Sequence, residues 1–380
     1  MLNKKQRIIL CVSNDLVTDN RVHKICTSLY NNGFEVTLTG RKTAQSKSVP
    51  ETPYKTKRMK LLWTHGPLFY ATLNIRLFIY LLFSQADIFT ANDLDTLLGV
   101  YCAGKIRRKK IVYDSHEYFT EVPELHNKLF QKKIWERIES FIFPKLTYCT
   151  TVCESIAEIY SEKYKVPVQV IKNVPHIQKK TKPKKIDGIH KPYLIYQGAI
   201  NIGRGIETMI DTMEYIDSMQ LVIIGTGDIY HDIRRRIVEK KLDTKIICIG
   251  QISYNELPKY TQGATIGLSL EEDIGLNYHY ALPNKIFDYI QAHIPILVSD
   301  LPEMKKIIND YTCGEIVYNR KPHKIAEQIL RMCEPTLYQN YIKQSMNASQ
   351  TLNWEQEEIK IVELYNRILK TEITEKLNSK

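Results

Sequence analysis

The chain alternates short apolar segments typical of buried β-strands with longer segments typical of α-helices. The alternation begins at RIILCVS, residues 7–13, and continues through both halves of the chain. Strands that alternate with helices predict parallel sheets covered by helices on both faces. Residues 176–191 interrupt the pattern, since they are rich in Lys and Pro and lack apolar periodicity, as is typical of a linker. The sequence therefore predicts two doubly wound α/β domains.

The length supports the same division, because 380 residues with 43% hydrophobic residues can form two cores. The predicted boundaries are an N-terminal domain in residues 1–175, a linker in 176–191, a C-terminal domain in 192–349 and a helical tail in 350–380. The predicted apolar stripe of the tail consists of Ile359, Val362, Tyr365 and Leu369.

The basic residues are concentrated in the N-terminal half. The net charge is +11, and residues 1–180 contain 28 Lys and Arg against 16 Asp and Glu. An anionic membrane surface or an acidic acceptor would suit such a domain, and a solvated surface without a partner is the alternative. We expect no nucleic acid partner, because no helix-turn-helix or aromatic-interleaved pattern accompanies the charge.

Residues 68–83 are strongly apolar, but they are fewer than the ~20 residues that cross a bilayer. A buried helix of the first domain and a helix in the membrane interface are both open interpretations. The eight cysteines have no paired CxxC spacing and resemble reduced core residues. Together with the absence of a signal-peptide pattern, they predict a cytoplasmic protein, with a peripheral position at the inner face of the membrane as a further expectation.

The stretch from Gly263 to Asp300 combines a buried strand, an acidic loop, a helix that starts after Pro283 and a second strand. Backbone N–H groups at a helix N-terminus bind phosphate, and Lys285 lies in the first turn. Asp288 follows Asn284 by one turn and lies on the same face. The pattern favours a nucleotide-sugar site and, equally, a plain helix with two solvated charges.

A glycine-rich turn follows the predicted strand at residues 193–196. It contains Gly203, Arg204 and Gly205. Glycines allow a backbone to approach a diphosphate closely, and an arginine can bind one in a fork. The turn is therefore a second candidate phosphate site.

Polar residues also follow two predicted strands of the N-terminal half. They are Asp15, Arg21, Asp114, His116 and Glu117. The carboxyl ends of parallel strands meet at one edge of a sheet, where ligands bind. A histidine titrates near neutrality and a neighbouring carboxylate can orient its ring, which favours an acid–base cluster around His116. For Arg21, a phosphate contact and a plain role at the start of a helix are both open.

These motifs, in this order, resemble the family 4 retaining glycosyltransferases. LPNKIFDYIQAHIPILVSD resembles their donor-binding segment, YDSHEYFTEVPEL their N-terminal histidine segment, and GAINIGRG the turn that opens their C-terminal domain. The resemblance implies a GT-B fold, in which two Rossmann-like domains face a cleft and a C-terminal helix crosses back to the N-terminal domain. The N-terminal residues listed above would then line the acceptor side of the cleft.

The resemblance also implies roles for individual residues. Those implied to bind the donor diphosphate are Gly203, Arg204, Gly205 and Lys285, and those implied to bind ribose or base are Gly250, Ile252, Asn284 and Asp288. The implied catalytic residues are His116 and Glu272, with Glu271 as the alternative to Glu272. The sequence departs from the family pattern in three places: Asp288 replaces a glutamate, Ala199 replaces an arginine, and the acidic loop is lengthened by NYHYA.

The implied reaction is transfer of a sugar, with retention, from a nucleotide-diphosphate sugar to a glycan or lipid-linked acceptor in cell-surface polysaccharide or glycolipid biosynthesis. No metal or other cofactor is expected, since two cations and a helix terminus can neutralise the leaving group. A nucleotide-sugar epimerase of the same fold and a non-catalytic protein that binds a membrane surface or a partner are the alternatives.

Overall fold

The structure, a computed structural model, describes residues 5–17, 19–126, 128–190 and 192–378. The chain divides into two compact units. The first unit contains the residues up to Asn173 and those from Glu357 onward, and the second contains Val174–Gln356. Each unit is built around one parallel sheet.

The sheet of the first unit has seven strands in the described residues, and all neighbouring strands are parallel. They are β1 (Arg7–Cys11), β2 (Glu35–Lys42), β3 (Lys55–Lys60), β4 (Ile88–Asn92), β5 (Lys110–Ser115), β6 (Tyr148–Thr151) and β7 (Val168–Val170). Their order across the sheet is β3-β2-β1-β4-β5-β6-β7. The order reverses between β1 and β4, and ligands of doubly wound folds bind beyond the carboxyl ends of the strands at such a point.

Helices follow most strands of this sheet. They are α1 (Asn20–Asn31), α2 (Gly66–Leu82), α3 (Leu94–Arg107), α4 (Pro123–His126), α5 (Leu129–Ile142) and α6 (Glu154–Tyr164). The start of α1 is capped by the Asp19 carboxylate, which accepts a hydrogen bond from Val22 N at 3.1 Å.

Helix α2 is the apolar helix that the sequence predicted. Its Asn74 packs against α3, where the amide donates to Asp95 O at 2.7 Å and accepts from Gly99 N at 2.8 Å. One face of α2 is buried, whereas Ile75 and Ile79 on the other face are 58% and 49% exposed. Among the described residues, no helix is long and apolar enough to cross a membrane.

The sheet of the second unit has six parallel strands in the part of the chain that the structure describes. They are β8 (Tyr193–Gln197), β9 (Gln220–Ile224), β10 (Ile246–Gly250), β11 (Ile266–Ser269), β12 (Ile296–Ser299) and β13 (Gly314–Val317). Their order is β10-β9-β8-β11-β12-β13, so the reversal lies between β8 and β11.

Side chains of this sheet alternate between two apolar cores. On β8, Leu194 and Tyr196 belong to one core, and Tyr193 and Ile195 belong to the other. Helices cover both faces, as expected for a parallel sheet. They are α7 (Ile206–Thr212), α8 (Tyr230–Glu239), α9 (Leu257–Thr261), α10 (Leu276–His279), α11 (Asn284–Gln291), α12 (Pro302–Tyr311), α13 (Pro322–Met332) and α14 (Pro335–Ser349).

Residues 176–191, predicted as a linker, form no helix or strand where the structure describes them, yet they are attached to the second unit. Ile186 and Ile189 pack against one of its cores. Thr181 Oγ1 donates to Gln262 Oε1 at 2.8 Å. The segment is therefore held along the surface of this unit.

The last helix, α15 (Trp354–Asn378), starts in the second unit and continues in the first. Tyr365 is its buried anchor, because its hydroxyl lies 2.7 Å from Thr90 Oγ1 on β4. The predicted stripe was wrong at Ile359, which is exposed. The buried stripe consists of Ile361, Leu364, Tyr365 and Ile368. The last two residues of the predicted tail lie outside the described residues.

Candidate functional site

Two loops meet at the reversal point of the second sheet. The loop after β8 carries Gly203, Arg204 and Gly205, and the loop after β11 carries Glu271 and Glu272. The loops are joined directly, because Glu272 N donates to Gly203 O at 2.8 Å. The resemblance to family 4 glycosyltransferases implied that both loops belong to one site, and the fold places them at adjacent strand ends.

The two glycines are required by the close approach of these loops. Gly203 and Gly205 have φ angles of +81° and +69°. A Cβ atom at Gly205 would lie 1.9 Å from Leu270 O, and one at Gly203 would lie 2.4 Å from Ile274 Cδ1. Arg204 is thereby held next to the acidic loop.

Lys285, the second residue of α11, pairs with Glu271. Lys285 Nζ donates to Glu271 Oε1 at 2.5 Å, and the two side chains are 7% and 0% exposed. Burial lowers the pKa of Lys285 and outweighs the opposing effect of Glu271. Burial raises the pKa of Glu271, but Lys285 and the Ser269 hydroxyl, which donates at 2.7 Å, outweigh it, and the pKa lies below its usual value. Glu271 is therefore a carboxylate in the folded protein.

Arg204 brings a second cation to the same carboxylate. Its Nη1 lies 3.9 Å from Glu271 Oε1, and its guanidinium carbon lies 5.0 Å from the centre of the Tyr278 ring. Its Nε is buried, and no group of the described residues accepts a hydrogen bond from it. Two cations thus share one carboxylate, and a buried guanidinium N–H lacks an acceptor. This arrangement favours binding of an anion.

The sequence analysis missed two residues that hold the acidic loop in place. Arg320, which follows β13, donates to Leu270 O at 2.9 Å and to Glu271 O at 3.2 Å. Ser299, at the end of β12, donates to Glu271 O at 2.6 Å. The only sequence signal was that both follow strands of the second series. The carboxylate of Glu272 lies 4.0 Å from Arg320, whereas Glu271 is the residue that contacts Lys285.

Asp288 lies one turn after Asn284 on α11 and contacts the end of β8. Its Oδ2 accepts from Gln197 Nε2 at 2.9 Å. Burial and a hydrogen bond with Asp288 raise the pKa of Tyr254. Asp288 is partly exposed and Asn284 is exposed, so both can reach a ligand beyond this edge of the sheet.

Gly250 and Ile252 lie at the end of β10, two strands from β8. Gly250 has a φ angle of +81°, and its carbonyl accepts from Gly225 N at 2.9 Å. Ile252 is partly buried against the core of the second unit. The two residues thus belong to the same edge of the sheet as Asp288.

In the first unit, His116 lies between two carboxylates. Its backbone N donates to Asp93 Oδ1 at 2.7 Å, its Nδ1 lies 3.2 Å from Asp93 Oδ2, and its Nε2 lies 3.0 Å from Asp114 Oδ2. Burial lowers the pKa of His116, but Asp93 and Asp114 outweigh it and raise the pKa to about 9. Burial raises the pKa of Asp93 to about 7. His116 is therefore an imidazolium at neutral pH, and both ring nitrogens donate.

Arg21 and Asp114 are buried, and Asp114 contacts both Arg21 and His116. Arg21 binds Asp114 in a fork, with Nε and Nη2 at 3.0 Å and 2.8 Å from the carboxylate oxygens, and its Nη1 donates to Ile171 O at 2.8 Å. Thr150 Oγ1 donates to Asp114 Oδ1 at 2.7 Å. The suggested phosphate contact of Arg21 is wrong for this structure, because the guanidinium is 3% exposed and engaged within the fold.

Other residues of this edge were predicted only in part. Asp15, in the loop after β1, accepts from Val17 N at 3.3 Å, and Glu117 lines a cavity together with Asp93. Asp93 was not assigned a role, although the sequence predicted a strand that ends at this residue. In the described residues, no group of three or more His, Cys, Asp or Glu side chains is placed to hold a metal ion.

The two doubly wound parallel sheets, each with a polar edge at its reversal point, define the GT-B class of fold. The family model described as glycosyltransferase family 4 matches residues 19–176, and the model described as glycosyl transferases group 1 matches residues 177–348. Together the two models cover residues 19–348, and the chain belongs to the glycosyltransferases that they describe.

One curated relative and two solved structures illustrate the similarity. The O-antigen chain mannosyltransferase RfbU of Salmonella typhimurium is 26% identical over 196 residues, which are 50% of each chain, so the match spans about half the length of that relative. Sucrose-phosphate synthase from Thermosynechococcus elongatus has a TM-score of 0.78 at 17% identity, over 97% of this chain and 100% of that one. HepE from Anabaena, in complex with UDP and glucose, has a TM-score of 0.71 at 12% identity, over 96% and 100%. Both structures share the fold.

Proposed function

We propose that the protein transfers a sugar from a nucleotide-diphosphate sugar, with retention of configuration, to a glycan acceptor in the assembly of a surface polysaccharide or glycolipid. The cluster of Arg204, Glu271 and Lys285 carries the proposal. It combines two cations with one carboxylate at the reversal point of a doubly wound sheet. Such a cluster is suited to the diphosphate of the donor.

The diphosphate is the leaving group, and its charge grows in the transition state. Arg204 Nε, which has no acceptor among the described residues, is free to donate to a phosphate oxygen, and Lys285 lies in the first turn of α11. Donors placed in advance at such a position typically supply about 2.7–4 kcal/mol each. Glu271 keeps Lys285 in position without cancelling both charges.

The rest of the donor would bind along the same edge. Asp288, held by Gln197, would accept hydrogen bonds from the ribose hydroxyls. The turn at Gly250 and Ile252 would contact the base, together with Asn284 on α11. The side chain of Asp288 is one methylene shorter than that of a glutamate. Gln197 compensates by fixing the position of the Asp288 carboxylate. We propose that no metal is needed, and EDTA should leave turnover unchanged.

For the sugars we propose Glu272 and His116. Glu272 is partly exposed. The positive charge of the His116 imidazolium, whose two ring N–H groups are engaged by Asp93 and Asp114, can act electrostatically on the bound sugar. The proton of the acceptor hydroxyl passes to the departing phosphate oxygen as the new bond forms. The names of two relatives support the proposal, since RfbU is an O-antigen mannosyltransferase and HepE was solved with UDP. We place the enzyme at the inner face of the cell membrane, where the basic first unit meets anionic lipid.

The test is the thermal stability of the protein with UDP, GDP, ADP and their sugars. A ligand at about 100 times its Kd stabilises the folded state by about 2.7 kcal/mol. At least one nucleotide should stabilise the wild type and the control variant Arg235→Ala, which removes an exposed arginine of the same unit, but not Arg204→Ala.

A second assay identifies the reaction. NMR of the product of the stabilising donor should show the anomeric configuration of that donor in a new glycosidic bond. Stabilisation by none of the nucleotides would overturn the proposal, and a donor isomerised without any acceptor would identify an epimerase instead.

A further inference from the structure

The first unit contains a large cavity whose walls come from α2, α3 and α5. Its volume is about 1100 Å³, slightly above the ~300–1,000 Å³ usual for small-ligand pockets. Most of the lining is apolar, and its main aliphatic and aromatic residues are Ile75, Phe78, Leu98, Phe130, Ile134 and Ile138. We call it the α2–α3–α5 cavity.

One end of the cavity is acidic and adjoins His116. Asp93, Asp95 and Glu117 line this end. Asp93 Oδ1 accepts from His116 N at 2.7 Å, so the cavity reaches the polar edge of the first sheet. Carboxylates are suited to sugar hydroxyls, whereas most of the remaining lining is apolar and suited to hydrocarbon. The cavity therefore matches a ligand with a sugar head and an apolar tail.

Part of the apolar wall is exposed in the part of the chain that the structure describes. Ile75 and Phe130 are 58% and 77% exposed, although both line the cavity. Exposed apolar side chains around a concave site are typical of a binding site for an apolar partner. Lys128 also lines the cavity, together with four acidic residues, and its ammonium group can pair with a lipid phosphate.

We propose that the α2–α3–α5 cavity binds the hydrocarbon chain of a lipid-linked acceptor and places the acceptor's sugar at Asp93 and Asp95. This inference rests on the proposed function and names the substrate class of its acceptor. A lipid chain accounts for the volume and the apolar walls, a lipid phosphate suits Lys128, and a sugar head accounts for the acidic end beside His116.

The test uses octyl, decyl and dodecyl maltoside below their micellar concentrations, with maltose as the chainless control. Calorimetry should show binding that strengthens with chain length, up to about fourfold for each buried methylene. Maltose alone should bind far more weakly. Equal affinity across the series would overturn the proposal.

Helix α2 offers a matched pair of variants. Ile75→Asp changes a residue that lines the cavity, whereas Ile79→Asp changes the same residue type one turn later, at similar exposure, outside the lining. Ala71→Phe fills the cavity without adding charge, since Ala71 lines it and is exposed. We expect Ile75→Asp and Ala71→Phe to weaken dodecyl maltoside binding at least tenfold and Ile79→Asp to change it less than twofold. Equal losses in all three would show adsorption to the helix surface and overturn the assignment.

The donor site provides an independent readout. Stabilisation by nucleotide should be unchanged in the three variants, because they lie in the first unit and the phosphate cluster lies in the second. Chain-length-dependent binding of the maltosides without any nucleotide binding would reject the proposed function and leave the cavity assignment standing. Nucleotide binding without chain-length dependence would reject the cavity assignment alone.

Discussion

Lys285 Nζ lies 2.5 Å from Glu271 Oε1, and both side chains are almost completely buried. A buried ion pair is costly to desolvate, so it adds little stability over an apolar pair, but removal of one partner leaves an unpaired charge. Arg204 lies 3.9 Å from the same carboxylate oxygen. The main effect of the pair is therefore to hold charged groups at this site. Loss of either partner would destabilise the folded state.

Replacement of Lys285 should destabilise the protein. In Lys285→Met, Glu271 is left buried without its main partner, and we expect a loss of about 3–5 kcal/mol in unfolding free energy. Lys285→Met combined with Glu271→Gln should recover part of the loss, because the amide is neutral. Denaturant unfolding measures both. Lys305→Met, in an exposed pair with Asp300, is the control and should leave the unfolding free energy nearly unchanged. A comparable loss in the control would contradict the explanation.

Replacement of Arg204 should reduce catalysis more than stability. Its side chain is 28% exposed and its Nε has no acceptor in the described part of the chain, so little folding energy depends on it. We expect Arg204→Ala to lower kcat about 10²–10³-fold, the range for loss of one charge-stabilising donor. Arg204→Lys should restore part of the rate, since it keeps the charge but not the fork. Steady-state kinetics with matched unfolding curves checks this, and an unchanged kcat would remove Arg204 from the leaving-group site.

The stability of the first unit should fall as the pH rises. Asp93 and Asp114 raise the pKa of His116 to about 9, against the opposing effect of burial. A group with a raised pKa stabilises the fold fully below its unfolded value, about 6.5, and loses that contribution as the pH approaches the folded value. Asp93, whose pKa burial raises to about 7, adds a similar loss at lower pH, from about 4 to 7.

The wild type should therefore lose up to about 3 kcal/mol between about pH 6.5 and pH 9. His116→Asn should show a much flatter profile over this window. Unfolding curves at several pH values, with NMR titration of the His116 ring, give the measurement. A wild-type profile as flat as that of the variant would show that His116 is neutral in the folded protein.

Gly205→Ala should disturb the junction of the two site loops. The φ angle of +69° is unfavourable for alanine, and the new Cβ would lie 1.9 Å from Leu270 O. We expect a loss of more than about 1 kcal/mol in unfolding free energy, together with weaker nucleotide binding. Gly33→Ala tests the φ angle alone, since Gly33 has a φ angle of +90° and open space around its Cβ position. A smaller effect at Gly205 than at Gly33 would argue against the close contact.

Local patterns in the chain were enough to predict much of the fold. Alternating apolar strands and helices predicted two doubly wound units, and Pro283 marked the start of α11, which begins at Asn284. The resemblance to family 4 glycosyltransferases implied one phosphate site for the Gly-Arg-Gly turn and Lys285, and the structure brings them to one carboxylate. The helices, strands and turns depend on short-range sequence, so periodicity and turn residues reveal them.

Which carboxylate joins that site could not be read from the chain. Glu271 and Glu272 are adjacent, and successive residues of an extended segment point in opposite directions. Arg320 and Ser299, which hold the Glu271 carbonyl, come from strands 28 or more residues away in the chain, and their positions depend on sheet order. The buried face of α15 was predicted wrongly at Ile359 for a similar reason, because its sequence offers overlapping apolar stripes and only packing selects one.

The sequence by itself determined the alternation of elements, the concentration of basic residues in the first half and the residue types of the proposed donor site. The tertiary structure alone decided that Glu271 pairs with Lys285, that Arg21 is buried against Asp114 rather than exposed to phosphate, and that α2, α3 and α5 line a common cavity. The physical reason is distance along the chain. Periodicity is a property of neighbouring residues, whereas ion pairs and cavities form between segments that only the packing of the sheets and helices brings together.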